Sequence, residues 1–194
     1  VRNKKGELTP EEIQAIRSHP VHSYRIITKE MRFSEEIGLA ALQHQERWDG
    51  AGYPRKISGT NIIPAARIIA VADAFEAMVS KRPYRSSMIG YAAMRAILSD
   101  NARRFDPDVI KTFIRTMGIY PIGSVVLLNN AAIGRVIDVN NAAPLRPRVK
   151  IMIDPNGREY QRDEGDIVDL ATDKKLFIAR AVDPKELAQK SGAS

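Results

Sequence analysis

The chain has no cysteine among its 194 residues. That excludes disulfides and thiolate metal ligands, so a metal would have to be held by histidine, carboxylate or water. Histidine is scarce as well: His19, His22 and His44 are the only three. No uninterrupted apolar run approaches the roughly 20 residues that span a bilayer. The first residues, Val1-Arg2-Asn3-Lys4-Lys5, are charged and no apolar core follows them, so a secretory leader is not expected from them. Together these absences predict a protein of the reducing cytoplasm. Acidic residues are in deficit, 23 against 30 basic ones, for a net charge of +7. The excess biases the chain toward anionic partners. Most such charge only solvates a surface, so nucleic acid is not an expected partner. The start at Val1, on a turn-like Asn-Lys-Lys-Gly, is expected to be the remainder of something longer.

The first part of the chain reads as helices. Thr9 stands before Pro10 and three residues ahead of Glu12, a capping-box spacing with proline at the first helical position. That helix is expected to stop at His19, because Pro20 follows. Pro20 opens a second helix to about Met31, with Val21, Tyr24, Ile27 and Met31 on one stripe. Ser34, followed by Glu35 and Glu36, opens a third that runs to Arg47. Pro64 opens the most apolar helix, Ala65 to about Ser80, which is expected to be central. Asp73 sits among its Ile, Val, Ala and Phe residues, where burial is costly unless the carboxylate is paired or metal-bound. Gly90 to Asn101 and Asp106 to Met117 complete the helices.

At Gly118 the periodicity changes. Ser124–Leu128, Ile133–Val139, Arg148–Ile153, Glu159–Gln161, Ile167–Leu170 and Leu176–Ala181 read as short strands, separated by turn residues such as Asp154-Pro155-Asn156-Gly157. The expectation is a mainly α protein: a helical domain over 1–118, a small all-β unit of SH3-like barrel type over 119–182, and a short helix or tail over 183–194.

One stretch concentrates chemistry, His44 to Pro54. A helix delivers His44 and Glu46 and then breaks into a loop. Gly50 and Gly52 can take positive φ there, and Pro54 restricts Tyr53 to extended backbone. The loop would hold Trp48, Asp49 and Tyr53 beside His44, although an ordinary connection next to a structural histidine has the same composition. His19 and His44 each end a predicted helix, and Asp73 lies in a third. Convergence of the three would make a mixed N/O set suited to iron, manganese or zinc. His22 reads better as a helix-surface residue. Arg82 and Arg85, separated by a turn, can grip phosphate oxygens with forked donors or simply oppose a helix dipole. Metal, arginines and an aromatic loop point to phosphoester chemistry, with Tyr53 or Trp48 stacking a base. Arg146, Arg148 and Lys150 in the β unit are a weaker candidate for nucleic-acid contact.

The runs QHQERWDGAGYP, IPAARIIAVADAFEAM and KRPYR, preceded by KGELTPEEIQAIRSHP, resemble the HD-GYP family in order and spacing over about residues 3 to 116. That family comprises bacterial metal-dependent phosphodiesterases that hydrolyse cyclic di-GMP. The resemblance implies an HD-type helical bundle. It implies metal ligands at His19, His44 and Asp73, a nucleotide-facing Tyr53, phosphate contacts at Arg82 and Arg85, and a signature loop through Asp49, Gly50, Gly52 and Pro54. His22 matches no ligand of the family. The β unit is similar to an appendage found in some members.

Two departures qualify what the resemblance implies. The family's His-Asp pair, which precedes the matching segment, occurs nowhere in this chain, and Gln45 stands where a second adjacent histidine is usual. A neutral amide is a poor transition-metal ligand. The implied cofactor is therefore iron or manganese, binuclear at most and dependent on upstream ligands. The implied partners are cyclic di-GMP and, for a degenerate member, a signalling protein such as one with a diguanylate cyclase domain.

Overall fold

Thr9 caps the first helix reciprocally. Its hydroxyl accepts from the Glu12 N–H at 3.3 Å, and its own N–H donates to Glu12 Oε2 at 2.8 Å. The helix so begun, α1, spans Pro10–Arg17 in the computed structural model, which describes residues 7–80, 89–99, 103–161, 164–184 and 186. By compactness the chain forms two units, one of residues 1–88 with 96–110 and one of residues 89–95 with 111–194.

In the first unit α1 stops two residues earlier than proline alone predicts. The Ser18 N–H bonds to Gln14 O at 3.1 Å, and His19 then opens α2, His19–Arg25, with Pro20 in its first turn. The predicted helix to Met31 changes character at Ile26 and becomes a π-helical turn, Ile26–Glu30. Next, α3 covers Glu35–Gln43, and Ser34 makes no side-chain cap bond. It is shorter than predicted because the Gln43 side chain is recruited elsewhere: its Oε1 accepts the Ile63 N–H at 2.8 Å, and the Glu46 N–H turns back to Gln43 O at 2.9 Å. Gly38 lets α3 pass against Thr28 and Tyr24, since a Cβ there would overlap the Thr28 methyl.

The apolar helix α4, Pro64–Val79, is not the buried centre that its composition predicts. Only Ala66, Val71 and Ala74 are buried, while Ile68 and Ile69 are 58% and 40% exposed. Asp73 lies on its exposed side, so the anticipated cost of burial does not arise. The chain passes between the two units within α5, Gly90–Ser99, and α6, Pro107–Met117.

The second unit contains β1 Val125–Leu128, β2 Ile133–Asp138, β3 Arg148–Ile153, β4 Ile167–Asp169 and β5 Ile178–Val182. They form one antiparallel sheet in the order β4-β3-β2-β1-β5. Among the described residues the edge strands β4 and β5 do not pair, so the sheet is not closed as the expected barrel would be. The fourth predicted strand, 159–161, is reduced to a bridge between Ile153 and Glu159. The turn before it is closed by the Asp154 carboxylate, which accepts from the Asn156 and Arg158 N–H groups, and the Tyr160 N–H bonds to Met152 O at 2.8 Å. Val126, Leu128, Val136, Val149, Ile151 and Leu170 form the core of this unit.

Candidate active site

His19 opens α2 and His44 closes α3, so the two imidazoles meet where one helix begins and another ends. Each ring is oriented by its own preceding turn. His19 Nδ1 donates to Ile16 O at 2.7 Å and His44 Nδ1 donates to Ala41 O at 2.6 Å. A carbonyl can only accept, so the proton of each neutral ring sits on Nδ1 and leaves a lone pair on Nε2. The two Nε2 atoms face each other at 3.0 Å. Two such lone pairs repel unless a proton or a cation lies between them. Two imidazoles bound to one ion at about 2.1 Å, near a right angle, would have their nitrogens about 3.0 Å apart. The pair therefore fits a shared divalent cation. Among the described residues no three His, Asp or Glu side chains are grouped to hold one.

Asp73 lines the same pocket as His44, but Gln45 reaches it first, its amide donating to Asp73 Oδ2 at 3.2 Å. The predicted trio is thus met only in part. The histidines converge, and the aspartate is in the hand of the residue beside His44. His22 is exposed on α2. Arg82 and Arg85 lie outside the described residues.

The loop after His44 is tied at both ends. The Arg55 N–H donates to Glu46 Oε1 at 2.6 Å, and the Tyr53 N–H donates to Gln45 O at 3.1 Å. Gly50 takes the positive φ that was anticipated, +79°, and Gly52 does not. Gly52 is needed for space instead, since a Cβ there would overlap Arg47 N and the backbone of Glu46. The Tyr53–Pro54 peptide is cis. Asp49 accepts a two-pronged bond from Arg47, at 3.0 and 2.7 Å, and the Ala51 N–H at 3.0 Å. Those Arg47 hydrogen bonds hold its carboxyl below the usual aspartate range.

Trp48 does not line the pocket. Its ring lies under the Arg67 guanidinium at 5.5 Å, and the Trp48 backbone N–H donates to Arg104 O at 2.9 Å. Tyr53 does line it, with its ring edge-on to His19 at 6.4 Å between centroids. Burial pushes the Tyr53 hydroxyl above its usual range. The charges of Arg17 and Arg104 oppose that rise, and Asp73 adds to it. The cavity is about 270 Å³, lined by Arg17, His44, Gln45, Tyr53, Asp73 and Arg104 among others.

Sequence reasoning singled out neither Arg17 nor Arg104, and it gave Glu46 no task. Glu46 is only 4% exposed; one oxygen ties the loop and Oε2 has no hydrogen-bond partner among the described residues. Its place directly after His44-Gln45 was the available signal. Nothing local marks the two arginines, whose importance depends on which acids fail to reach them.

Residues 1–109 match the family described as HD domain. Residues 125–190 match one described as KOW domain associated with HD domain. The chain is similar to a cyclic di-GMP phosphodiesterase of Pseudomonas aeruginosa, 35% identical over 151 residues, covering 78% of this chain and 36% of that protein. It is similar to a second, of Borreliella burgdorferi, 28% identical over 187 residues, covering 96% of this chain and 49% of that one. A third, of Thermotoga maritima, is 39% identical over 113 residues, covering 58% of this chain and 31% of its own length. The chain therefore spans half or less of the length of these relatives.

Proposed function

The chain belongs to the HD domain family, and from that premise we propose that it forms part of a metal-dependent phosphodiesterase that hydrolyses cyclic di-GMP to pGpG or GMP. The observation that supports the reading is the facing Nε2 pair of His19 and His44, with the Tyr53 ring edge-on to His19 and sharing a pocket with His44. In this reading His19, His44 and Asp73 hold the metal, iron or manganese, together with ligands beyond these three. A bound divalent ion would polarise a phosphoryl oxygen and lower the pKa of a water. The chain's own contribution is positional. The Ile16 and Ala41 carbonyls fix the two rings, Tyr53 lines the nucleotide, and Arg82 and Arg85 contact phosphate. The loop through Asp49, Gly50, Gly52 and Pro54 holds Tyr53 in place. Hydrolysis adds one water across a P–O ester bond and opens the cyclic dinucleotide to a linear one.

The test is to load the longest protein that contains this chain with manganese or iron and assay cyclic di-GMP by chromatography. Formation of pGpG that is lost in His44→Ala is expected. Metal retention with intact substrate would overturn the hydrolase reading.

A second reading is favoured by the Gln45–Asp73 hydrogen bond. A carboxylate engaged by a neighbouring amide is less available to a metal, so the chain could bind cyclic di-GMP, or a signalling partner, without cleaving it. Binding with no turnover under every metal condition is the outcome that distinguishes it.

A further inference from the structure

The chain's positive charge is unevenly placed. Residues 1–118 carry 19 basic and 13 acidic side chains, against 11 and 10 in the remainder. In and near the pocket of the helical unit, the arginines differ in what already occupies them. Arg47 is committed to Asp49 through two hydrogen bonds. Arg67, at the far side of Trp48, is paired with Asp106 at 3.0 Å and bonded to Ile62 O. Arg17 and Arg104 line the pocket and, among the described residues, have no acidic partner. The Arg17 guanidinium lies over the Tyr53 ring, 5.7 Å from its centroid. Arg104 rests on the Phe105 ring at 5.0 Å, and its carbonyl is fixed by the Trp48 N–H. Two uncompensated guanidiniums in a concave site beside an aromatic ring are a receptor for an anion bearing a planar base.

A cyclic dinucleotide carries two phosphates. If a metal centre at His19 and His44 neutralises the one that reacts, the other enters the pocket with its charge unmet. We infer that Arg17 and Arg104 form a second phosphate site around Tyr53, which holds the phosphate that is not hydrolysed. This role is separate from that of Arg82 and Arg85, and it rests on the cyclic dinucleotide reading. It makes the two arginines determinants of affinity for a two-phosphate ligand.

The experiment is titration calorimetry of the longest protein that contains this chain, loaded with manganese, with cyclic di-GMP and, in parallel, with linear GpG, which has a single phosphodiester. Wild type is compared with Arg17→Gln, Arg104→Gln and the double variant. Both side chains are exposed, so their removal leaves the fold intact, which circular dichroism verifies. Each substitution is expected to weaken cyclic di-GMP about tenfold and the pair about a hundredfold. The affinity should also lose much of its salt dependence, while GpG, bound through the metal alone, should change little. In the same variants, spectrophotometric titration should move the Tyr53 hydroxyl further upward, because two neighbouring cations have gone. A double variant that binds cyclic di-GMP like the wild type overturns this inference and leaves the phosphodiesterase reading standing. Equal weakening of GpG also overturns it, by placing the arginines on the reacting phosphate. A wild type that binds no cyclic di-GMP overturns both.

Discussion

His19 and His44 point their Nε2 atoms at one another across 3.0 Å, each ring locked from behind by a carbonyl three residues earlier. The arrangement costs repulsion when it is empty and is relieved by a cation, so metal should stabilise the fold. Manganese at a hundredfold excess over its Kd should add about 2.7 kcal/mol and raise Tm by about 5 °C or more. A His19→Ala/His44→Ala variant should show no such rise in differential scanning fluorimetry.

Gln45 holds the Asp73 carboxylate at 3.2 Å. Gln45→His would release that carboxylate and add an imidazole next to His44. Metal content per chain, measured by mass spectrometry after dialysis, should rise above that of wild type. Gln45→Ala should release Asp73 without adding a ligand and produce a smaller gain. Unchanged metal content in both variants would mean that Gln45 does not limit the site.

Gly52 is pressed against the backbone of Glu46 and Arg47. Gly52→Ala should destabilise the helical unit by about 1–3 kcal/mol, the usual cost of overpacking a close contact. The denaturant midpoint reports this. Gly59→Ala is the control, since a Cβ there meets nothing within 4 Å although its φ is +57°; its cost should come from backbone strain alone and be smaller.

Asp49 has a depressed pKa in the folded chain because Arg47 hydrogen-bonds its carboxylate. A depressed acid contributes stability that is present above its unfolded pKa and is lost as pH falls through the folded value. Between neutral pH and the acid side of the usual aspartate range, wild type should therefore lose stability that Asp49→Asn lacks at every pH. The difference between their unfolding midpoints should shrink as pH falls. A constant difference would remove the Arg47 pair from the account.

Glu46 ties the loop through Arg55 N at 2.6 Å while its other oxygen stays unpartnered. Glu46→Gln keeps an acceptor and removes a buried charge, so it should retain or raise the thermal midpoint. Glu46→Ala should lower the midpoint and cost about 1–3 kcal/mol of stability, leaving the Arg55 N–H unsatisfied.

What could be read from the sequence was whatever is local. The Thr9–Glu12 cap, the Pro64 start of α4 and strand β3 depend on residues a few positions apart, and they appear where expected. The end of α3 was misjudged because Gln43 serves Ile63, 20 residues away. The apolar composition around Asp73 predicts burial, yet Ile68 and Ile69 on the same helix are exposed. The loop residues were recognisable by motif, but the reason for Gly52 was not. Conformational freedom was expected, and close backbone approach is what the fold uses. Arg17 and Arg104 escaped notice because an arginine's vacancy is a property of its surroundings in space.

The turn from Gln45 to Gly59 has a consequence for timing. Its amides are fastened in sequence: Trp48 to Arg104, Gly50 to Arg47, Tyr53 to Gln45, Arg55 to Glu46 and Gly59 to Trp48. Few of these bonds can break while the others hold, so the segment should open as one body, and its amide protons should exchange with solvent at a common rate. Tyr53 is then not a swinging arm that closes over whatever enters the pocket. It is a fixed wall, and the ligand must do the adjusting.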